Sequence, residues 1–294
     1  MSTTLASTFV PPTFCRHCCD VHAAVSLSRV DNGQPKVAAF FDIDNTIMRG
    51  ASIYHLARGL FSRGILTASD LANYAIAQGK FLTVGSESLD DLSRITENAL
   101  AFVKGRTVDD MNSLCRDIFD DVMADKVWPG TVQLATTHKA TGHQVWLVSA
   151  APIELAQIIA TRLGLDGAVA TVSEIVHGVY TGKLKSQAMH GAAKATAVVE
   201  LAEEQGIDLG HSFAYSDSSN DIPLLSLVGN PVAINPDGGL RSHAKANNWP
   251  IYDFRREHLK SRYALPAGAA ALALLGAGVG VAVSVARHRR NTST

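Results

Sequence analysis

Cysteine is scarce in this sequence of 294 residues. Four are present, and three of them, Cys15, Cys18 and Cys19, lie close together near the N-terminus. So few and so clustered a set excludes the disulfide framework of a small secreted domain and favours a reducing compartment. The same segment also contains His17 and His22. Zinc sites usually separate two ligand pairs by a dozen or more residues, so this crowded cluster does not predict one.

An excess of charge of one sign is also missing. The formal net charge is -1, and the last 31 residues contain three arginines and no acid, which leaves 23 basic against 27 acidic residues before them. A slightly acidic body excludes an electrostatic nucleic-acid binder. The opening residues lack the basic and apolar regions of a secretory signal. Residues 1–35, rich in Ser, Thr and Pro, predict a poorly ordered extension.

Charge is absent from residues 264–286, a stretch of about 34 Å as a helix, since each residue rises 1.5 Å. Four Leu and four Val favour insertion into a bilayer, against four Gly, one Pro and one Ser. We expect a single C-terminal transmembrane helix that attaches the protein to the membrane, with the body of the chain before it in the cytoplasm. Gly276 and Gly280 have the spacing of a helix-pairing face, which would allow a homodimer. The alternative is an Ala/Gly-rich tail that does not span.

Between these ends, short β-branched and aromatic runs alternate with helical patterns that end at glycine. This order predicts an α/β fold with a doubly wound, Rossmann-like parallel sheet. A His-Gly pair within residues 171–184 predicts a small hairpin. The predicted strands are 36–41, 143–149, 168–172, 211–216 and 230–235.

Residues 51–127 interrupt that rhythm with helical patterns alone. Ser86 and Thr107 are the expected N-caps of two of these helices. We interpret the segment as a helical cap inserted into a core of residues 36–50 and 128–254. Because the insert leaves just after the first strand, it should cover the edge where ligands bind in open α/β sheets. The predicted helices are Ile53 to Ser62, Ser69 to Leu82, Ser86 to Lys104 and Thr107 to Lys126.

Polar residues follow the ends of several predicted strands and open one helix. They are Asp42, Asp44, Ser149, Lys194, Asp217 and Asp221. Four carboxylates at one edge would repel one another, and Mg²⁺, which binds oxygen ligands, is a natural neutraliser. With Lys194 it would attract a phosphoryl group. Asp42 is then the candidate nucleophile toward phosphorus and Asp44 the acid and base that moves the proton.

These residues stand in four ordered motifs. They are DxDxT at Asp42, Asp44 and Thr46; LVSA ending on Ser149 and Ala150; Lys194; and DSSNDIPLL from Asp217 to Leu225. Over residues 36 to 254 the chain resembles the phosphatases of the haloacid dehalogenase superfamily, and more narrowly the phosphoserine-phosphatase-like subfamily IB, which carries a C1-type helical cap.

The resemblance implies a role for each position. Asp42 would be phosphorylated, and Asp44 would act as acid and base and lend its backbone carbonyl to Mg²⁺. Asp217 would bind the same metal. The phosphate oxygens would be held by Ser149, Ala150 and Lys194. Supporting roles fall to Thr46, Asn220 and Asp221, and Lys183 and Lys185 compete with Lys194 for the lysine role.

The chain also departs from the family. Asn45 and Ser216 each replace a common glycine, and Ala51 and Ser52 stand where phosphoserine phosphatases carry a substrate-binding Glu. We therefore expect a Mg²⁺-dependent phosphomonoester hydrolase acting on a small metabolite or a lipid head-group phosphate. Phosphoserine is the alternative substrate, since Asn220 matches a substrate-side Asn of those enzymes.

Two other classes share parts of this pattern. A phosphorelay receiver also phosphorylates a strand-end Asp, but it needs neither a helical insert nor an acid at the position of Asp44. A catalytically inactive, membrane-tethered regulatory or binding module could keep the fold without the chemistry. The retained Asp44 argues against that alternative.

Overall fold

A computed structural model describes residues 36–67, 69 and 103–255. The strands are β1 (Ala38–Phe41), β2 (Gln144–Pro152), β3 (Gly167–Thr171), β4 (Ser173–Val176), β5 (Val179–Leu184), β6 (Phe213–Ser216), β7 (Asn230–Ile234) and β8 (Ile251–Tyr252). The α-helices are α1 (Ser52–Ser62), α2 (Val108–Ile118), α3 (Pro129–Ala140), α4 (Ile153–Arg162), α5 (Ala192–Gln205), α6 (Ile222–Leu225) and α7 (Gly238–Ala246).

Six of the strands form one sheet in the order β3-β2-β1-β6-β7-β8. Every neighbouring pair in it is parallel. The predicted parallel sheet is therefore confirmed. The edge strand β8 was not predicted, because two residues are too few to show an alternating pattern. Strand β1 lies between β2 and β6, so the strands that follow it are added first on one side of it and then on the other. Parallel sheets of this kind bind ligands at the point where the winding direction changes.

Successive residues of β1 point to opposite faces of the sheet. Ala39 and Phe41 pack into one hydrophobic cluster with residues of α3 and α4. Ala38 and Phe40 pack into a second cluster with residues of α5, α6 and α7. Both faces of the sheet are therefore covered, as expected for parallel strands, and all four residues of β1 are fully buried.

The predicted hairpin is the antiparallel pair β4 and β5. Its two turn residues, His177 and Gly178, have φ angles of 51° and 78°. Two positive φ values are typical of the type I′ turn, whose twist matches that of the strands. The hairpin also binds the segment that precedes α2, because Gly105 donates to the carbonyl of Tyr180 and Tyr180 donates to the carbonyl of Arg106.

The structure describes the first and last parts of the proposed cap of residues 51–127. Helix α1 confirms the helix predicted from Ile53 to Ser62. The hydroxyl of Thr107 accepts from the backbone N–H of Asp110 at 3.1 Å and so caps α2, which continues through a π-helical turn and a 3-10 turn to Lys126. The helices predicted between Ser69 and Lys104, including the N-cap at Ser86, lie almost entirely outside the described residues.

Both chain ends that carry predictions lie outside the described residues as well. These are the extension 1–35 with its cysteine cluster, and residues 264–286 with Gly276 and Gly280. Within residues 36–67, 69 and 103–255, no helix has the length and apolar character needed to cross a membrane.

Candidate active site

The first and last motifs meet at the carboxyl ends of two neighbouring strands. Asp42 directly follows β1, and its backbone N–H donates to the carbonyl of Tyr215 in β6 at 2.9 Å. Ser216 ends β6 and Asp217 follows it. The sheet therefore brings Asp42 and Asp217 to one edge, although 175 positions separate them in the sequence.

Lys194 joins both motifs through its ammonium group. Its Nζ donates to Oδ1 of Asp42 at 2.6 Å and to Oδ2 of Asp221 at 2.8 Å, and the three side chains are at most 6% exposed. It reaches them from the first turn of α5, which begins just after Gly191. The competing Lys183 lies in β5, so the structure pairs Lys194, and not a hairpin lysine, with the first motif.

The buried acids outnumber this single ammonium group. Burial raises the pKa of Asp42 to about 8; Lys194 opposes the rise, and Asp221, Asp44 and Asp217 add to it. Burial likewise raises the pKa of Asp217 to about 7. Burial lowers the pKa of Lys194, but Asp42 and Asp221 raise it more, so the lysine stays charged. Among residues 36–67, 69 and 103–255, the site thus lacks positive charge to match its carboxylates, and a bound cation would supply it.

Asp44 faces the start of the cap. The backbone N–H of Ser52, the first residue of α1, donates to Oδ1 of Asp44 at 2.8 Å. Burial raises the pKa of Asp44, and the hydrogen bonds from Ser52 oppose the rise. A raised pKa suits a group that must deliver a proton. The contact with Ser52 was not predicted, because a backbone donor leaves no mark in the sequence.

Ser216 contributes a further contact that sequence reasoning missed. Its hydroxyl donates to Oδ2 of Asp221 at 2.7 Å and accepts from the backbone N–H of Ser218 at 3.2 Å. Asp221 is thus held from two sides, by Ser216 and by Lys194. The replacement of the common glycine by Ser216 was visible in the sequence, and it was the one signal that could have pointed to this bond.

Asn45, which replaces the other common glycine, adopts a φ angle of 54°. Asparagine tolerates this left-handed conformation better than most residues. Its Oδ1 accepts from the backbone N–H of Gly50 at 3.0 Å, and its side chain lowers the pKa of Asp217 as a hydrogen-bond donor. Nδ2 of Asn235, at the end of β7, donates to the carbonyl of Asn45 at 2.8 Å. Asn235 was also missed, because 190 positions separate it from its partner.

The remaining predicted residues surround this centre without bonding to its carboxylates in the described part of the chain. Ser149 is fully buried in β2, and its hydroxyl accepts from the backbone N–H of Ala151 at 3.1 Å. The carbonyl of Ala150 accepts from the hydroxyl of Thr171 at 2.8 Å. Thr46, the last residue of the first motif, is fully buried, whereas Asn220, within the last motif, is exposed.

The oxygen groups at this edge fit a hard divalent cation. Within the described ranges, no three or more His, Cys, Asp and Glu side chains are grouped so that they could hold a metal by themselves. Mg²⁺ does not need such a group, because it commonly takes one or two carboxylates and completes its shell with water and substrate phosphate. The carboxylates of Asp42 and Asp217 with the carbonyl of Asp44 make a donor set of this kind.

Known proteins share both the sequence pattern and the fold. The family model of haloacid dehalogenase-like hydrolases matches residues 39–226. Phosphoserine phosphatase SerB1 of Mycobacterium tuberculosis is 45% identical over 254 residues, 85% of this chain and 82% of that protein.

Two solved structures extend the comparison. A protein of unknown function from Bordetella pertussis Tohama I superposes with a TM-score of 0.68 at 26% identity, over 75% of this chain and all of that one. A substrate-bound phosphoserine phosphatase shares the fold, with a TM-score of 0.53 at 20% identity over 78% of this chain and 99% of that one. The resemblance carried by the four motifs is confirmed, and the chain belongs to the haloacid dehalogenase-like hydrolase family.

Proposed function

We propose that this chain hydrolyses phosphomonoesters in two steps, through a phosphoryl group carried by Asp42. The observation that supports this most directly is the buried contact of Lys194 with Asp42 and Asp221 at the carboxyl edge of the sheet. Burying three ionisable groups together costs free energy of folding. Their presence therefore indicates a purpose beyond folding. An attacking carboxylate beside an anchored ammonium group serves phosphoryl transfer.

In the first step Oδ1 or Oδ2 of Asp42 attacks phosphorus, and the bond from phosphorus to the leaving oxygen breaks. Asp44, whose pKa is raised by burial, donates its proton to that leaving oxygen. Its bond to Ser52 keeps the carboxyl oriented while the substrate alcohol departs. The products of this step are the free alcohol and a phosphorylated Asp42.

In the second step Asp44, now a carboxylate, takes a proton from water as the water attacks phosphorus. The bond from phosphorus to Asp42 breaks, and inorganic phosphate leaves. Throughout, Lys194 and the backbone around Ser149 and Ala150 hold the phosphate oxygens, while Asp221 keeps the Lys194 ammonium group in place.

Mg²⁺ would be held by the carboxylates of Asp42 and Asp217 and the backbone carbonyl of Asp44. When bound, it supplies positive charge to the phosphate oxygens and favours the ionised form of Asp42. The raised pKa values of Asp42 and Asp217 support this proposal, because they reflect buried carboxylates whose charge the described part of the chain does not balance.

The relatives support phosphoserine as an individual substrate, because SerB1, which is 45% identical, is named a phosphoserine phosphatase. The residues at the start of the cap favour a different alcohol. Ala51 and Ser52 provide no acid for the substrate amine at the place where phosphoserine phosphatases carry one. We therefore keep a small phosphorylated metabolite as the general substrate and phosphoserine as the alternative.

A membrane location remains a further proposal. It rests on the uncharged residues 264–286, which would place lipid head-group phosphates within reach and would let Gly276 and Gly280 pair two copies. Fractionation of the full chain and of a chain ending at residue 263 tests it. Recovery of the full chain entirely in the soluble fraction would contradict it.

The experiment that tests the activity measures phosphate release from a panel of phosphorylated metabolites and lipid phosphates, with and without Mg²⁺. Incubation with labelled substrate should label Asp42, and hydroxylamine, which cleaves acyl phosphates, should remove the label. Asp42→Asn should carry none. A folded protein that releases no phosphate from any substrate would support the inactive binding module instead.

A further inference from the structure

We propose that His190 is a specificity residue that contacts the leaving group of the ester, an alcohol that carries hydrogen-bonding groups besides its ester oxygen. This inference rests on the proposed phosphatase function. It assigns a substrate contact to a residue outside the four motifs.

The loop that carries His190 is fixed directly against the second motif. The hydroxyl of Thr171, at the end of β3, donates to the carbonyl of Ala150 at 2.8 Å and accepts from the backbone N–H of Met189 at 3.0 Å. One threonine therefore joins Ala150, an expected phosphate-binding residue, to the residue that precedes His190. The distance between these two segments cannot vary much while both bonds are made.

The other side of the loop lies against the fourth motif. Gly191 adopts a φ angle of 51°, and a Cβ at this position would lie 3.6 Å from the carbonyl oxygen of Asn220. The chain then enters α5, with the backbone N–H of Ala193 donating to the carbonyl of His190 at 3.0 Å. His190 thus stands between the second and fourth motifs, one helical turn before Lys194.

Lys194 and His190 differ in their exposure to solvent. Lys194 is buried among the carboxylates, whereas His190 is exposed. Partial burial of the ring lowers the pKa of His190, Lys194 lowers it further, and Asp221 and Asp44 oppose the shift. The bonds through Thr171 and the approach of Gly191 to Asn220 place the backbone of His190 beside the expected phosphate-binding residues. Because His190 is also exposed, we infer that its side chain faces the solvent side of the site, where the alcohol part of a phosphate ester must lie.

A neutral imidazole at this place offers one donor and one acceptor. It can bind a hydroxyl, carboxylate or amide of the leaving group, whereas the nitro group of a nitrophenyl ring offers it only weak acceptors and no donor. A site built to pair with such a group discriminates against substrates that lack it, because the polar atom is then left without a partner. The start of the cap, with Ala51 and Ser52, supplies no acid that would replace this contact.

The test compares three substrates with the full chain: p-nitrophenyl phosphate, O-phosphoserine and glycerol 3-phosphate. The wild type is expected to prefer at least one polar ester to p-nitrophenyl phosphate in kcat/KM. His190→Ala should lower kcat/KM for the preferred polar ester about tenfold, mainly through KM, and change p-nitrophenyl phosphate by less than about twofold. His190→Gln, which keeps a donor and an acceptor, should recover part of the loss.

The matched control is His211→Ala. It removes an exposed histidine just before β6, at the amino end of the strand, whereas the site lies at the carboxyl end. It should change no substrate by more than about twofold. An equal loss for all three substrates in His190→Ala, or a wild type that prefers p-nitrophenyl phosphate to both polar esters, would overturn the inference and leave the proposed phosphatase intact. A wild type that hydrolyses none of the three counts against the proposed function and removes the basis of the inference with it.

Discussion

Two polar centres are built largely from buried side chains, and they differ in how they avoid the cost of burial. The charged centre consists of Asp42, Lys194 and Asp221, in which the lysine ammonium group lies 2.6 and 2.8 Å from the two carboxyl groups. The neutral centre consists of His138, His143 and Tyr215. Nε2 of His138 lies 2.7 Å from the Tyr215 hydroxyl, and its Nδ1 lies 2.9 Å from Nδ1 of His143.

The surroundings of the two centres explain the difference. His138 packs among aromatic rings, with the ring centre of Phe213 at 4.6 Å and that of Phe41 at 6.3 Å. Burial lowers the pKa of His138 to about 4, so this histidine carries no charge at neutral pH. A neutral hydrogen-bonded group can be buried at modest cost, whereas ionised groups lose strong hydration. The comparison indicates that the neutral centre supports folding and that the charged centre is retained for the reaction.

Removal of the nucleophile should show this separation most clearly. Asp42→Asn is expected to lower kcat by at least about 10⁴-fold, because no other group can accept the phosphoryl group. The free energy of unfolding should not fall, since one of four repelling acids is lost and Lys194 keeps Asp221. Phosphate release and urea unfolding measure the two effects. Asp117→Asn, which changes an exposed acid in α2, is the control. Activity within tenfold of wild type in Asp42→Asn would contradict the assignment.

Removal of the lysine should harm both folding and catalysis. Lys194→Met leaves the carboxylates of Asp42 and Asp221 buried without their counter-ion, and the free energy of unfolding should fall by about 3–5 kcal/mol in urea titrations without Mg²⁺. The deficit should be larger at pH 8 than at pH 5, because burial raises the pKa of Asp42 to about 8 and its protonated form at pH 5 needs no counter-ion.

The matched control for that substitution is Lys139→Met. Lys139 pairs with Asp166 at 2.7 Å, but both side chains are about a third exposed. Its removal should cost less than about 1 kcal/mol. Equal losses in the two variants would show that the charged centre is no more dependent on its ion pairs than the surface is.

The neutral centre should respond to pH instead. In the unfolded chain His138 titrates near its ordinary pKa of 6.5, and in the folded chain near about 4. The unfolded state therefore binds more protons between these values, and stability that is present above pH 6.5 is lost as the pH falls toward 4. The loss should reach about 3 kcal/mol.

His138→Phe tests this expectation by removing the titrating ring. The variant should lose less stability than wild type between pH 7 and pH 4.5. At pH 7 it should be about 1–3 kcal/mol less stable, because the buried Tyr215 hydroxyl loses its partner. Its kcat at pH 7 should stay within about twofold of wild type. Parallel stability curves in urea titrations would show that His138 does not titrate as the structure indicates.

The sequence allowed the strands and the position of the charged centre to be predicted for a physical reason. Strand-end carboxylates such as Asp42 and Asp217 must meet at one edge once the strands are parallel, whatever their separation in sequence. The hairpin was predictable because His177 and Gly178 form a local turn. The edge strand Ile251–Tyr252 was not, because its two residues gain their structure from β7.

The supports of the site could not be predicted in the same way. Asp44 is bound by the backbone N–H of Ser52, and nearly every residue has a backbone N–H. Only the fold shows which of them makes this contact. The bond between Asn235 and Asn45 joins residues 190 positions apart, and side-chain amides carry no periodic pattern. The histidines of the neutral centre are equally hidden, because His138 lies on a helix and its partner Tyr215 lies in a strand. Long-range polar contacts thus become visible only after the backbone is placed.

Ser216 allows the smallest test, because it places a neutral hydrogen bond inside the charged centre. Ser216→Ala removes the bond to Asp221 at 2.7 Å while Lys194 still holds the same carboxylate. We expect kcat/KM to fall by less than about tenfold and the free energy of unfolding by about 1 kcal/mol, as for one hydrogen bond. Ser216→Gly, which restores the common family residue, should lose the same activity. If either variant loses more than about a hundredfold in kcat/KM at unchanged stability, the hydroxyl orients Asp221 for catalysis. In that case the charged centre depends on its neutral contacts as strongly as on its ion pairs.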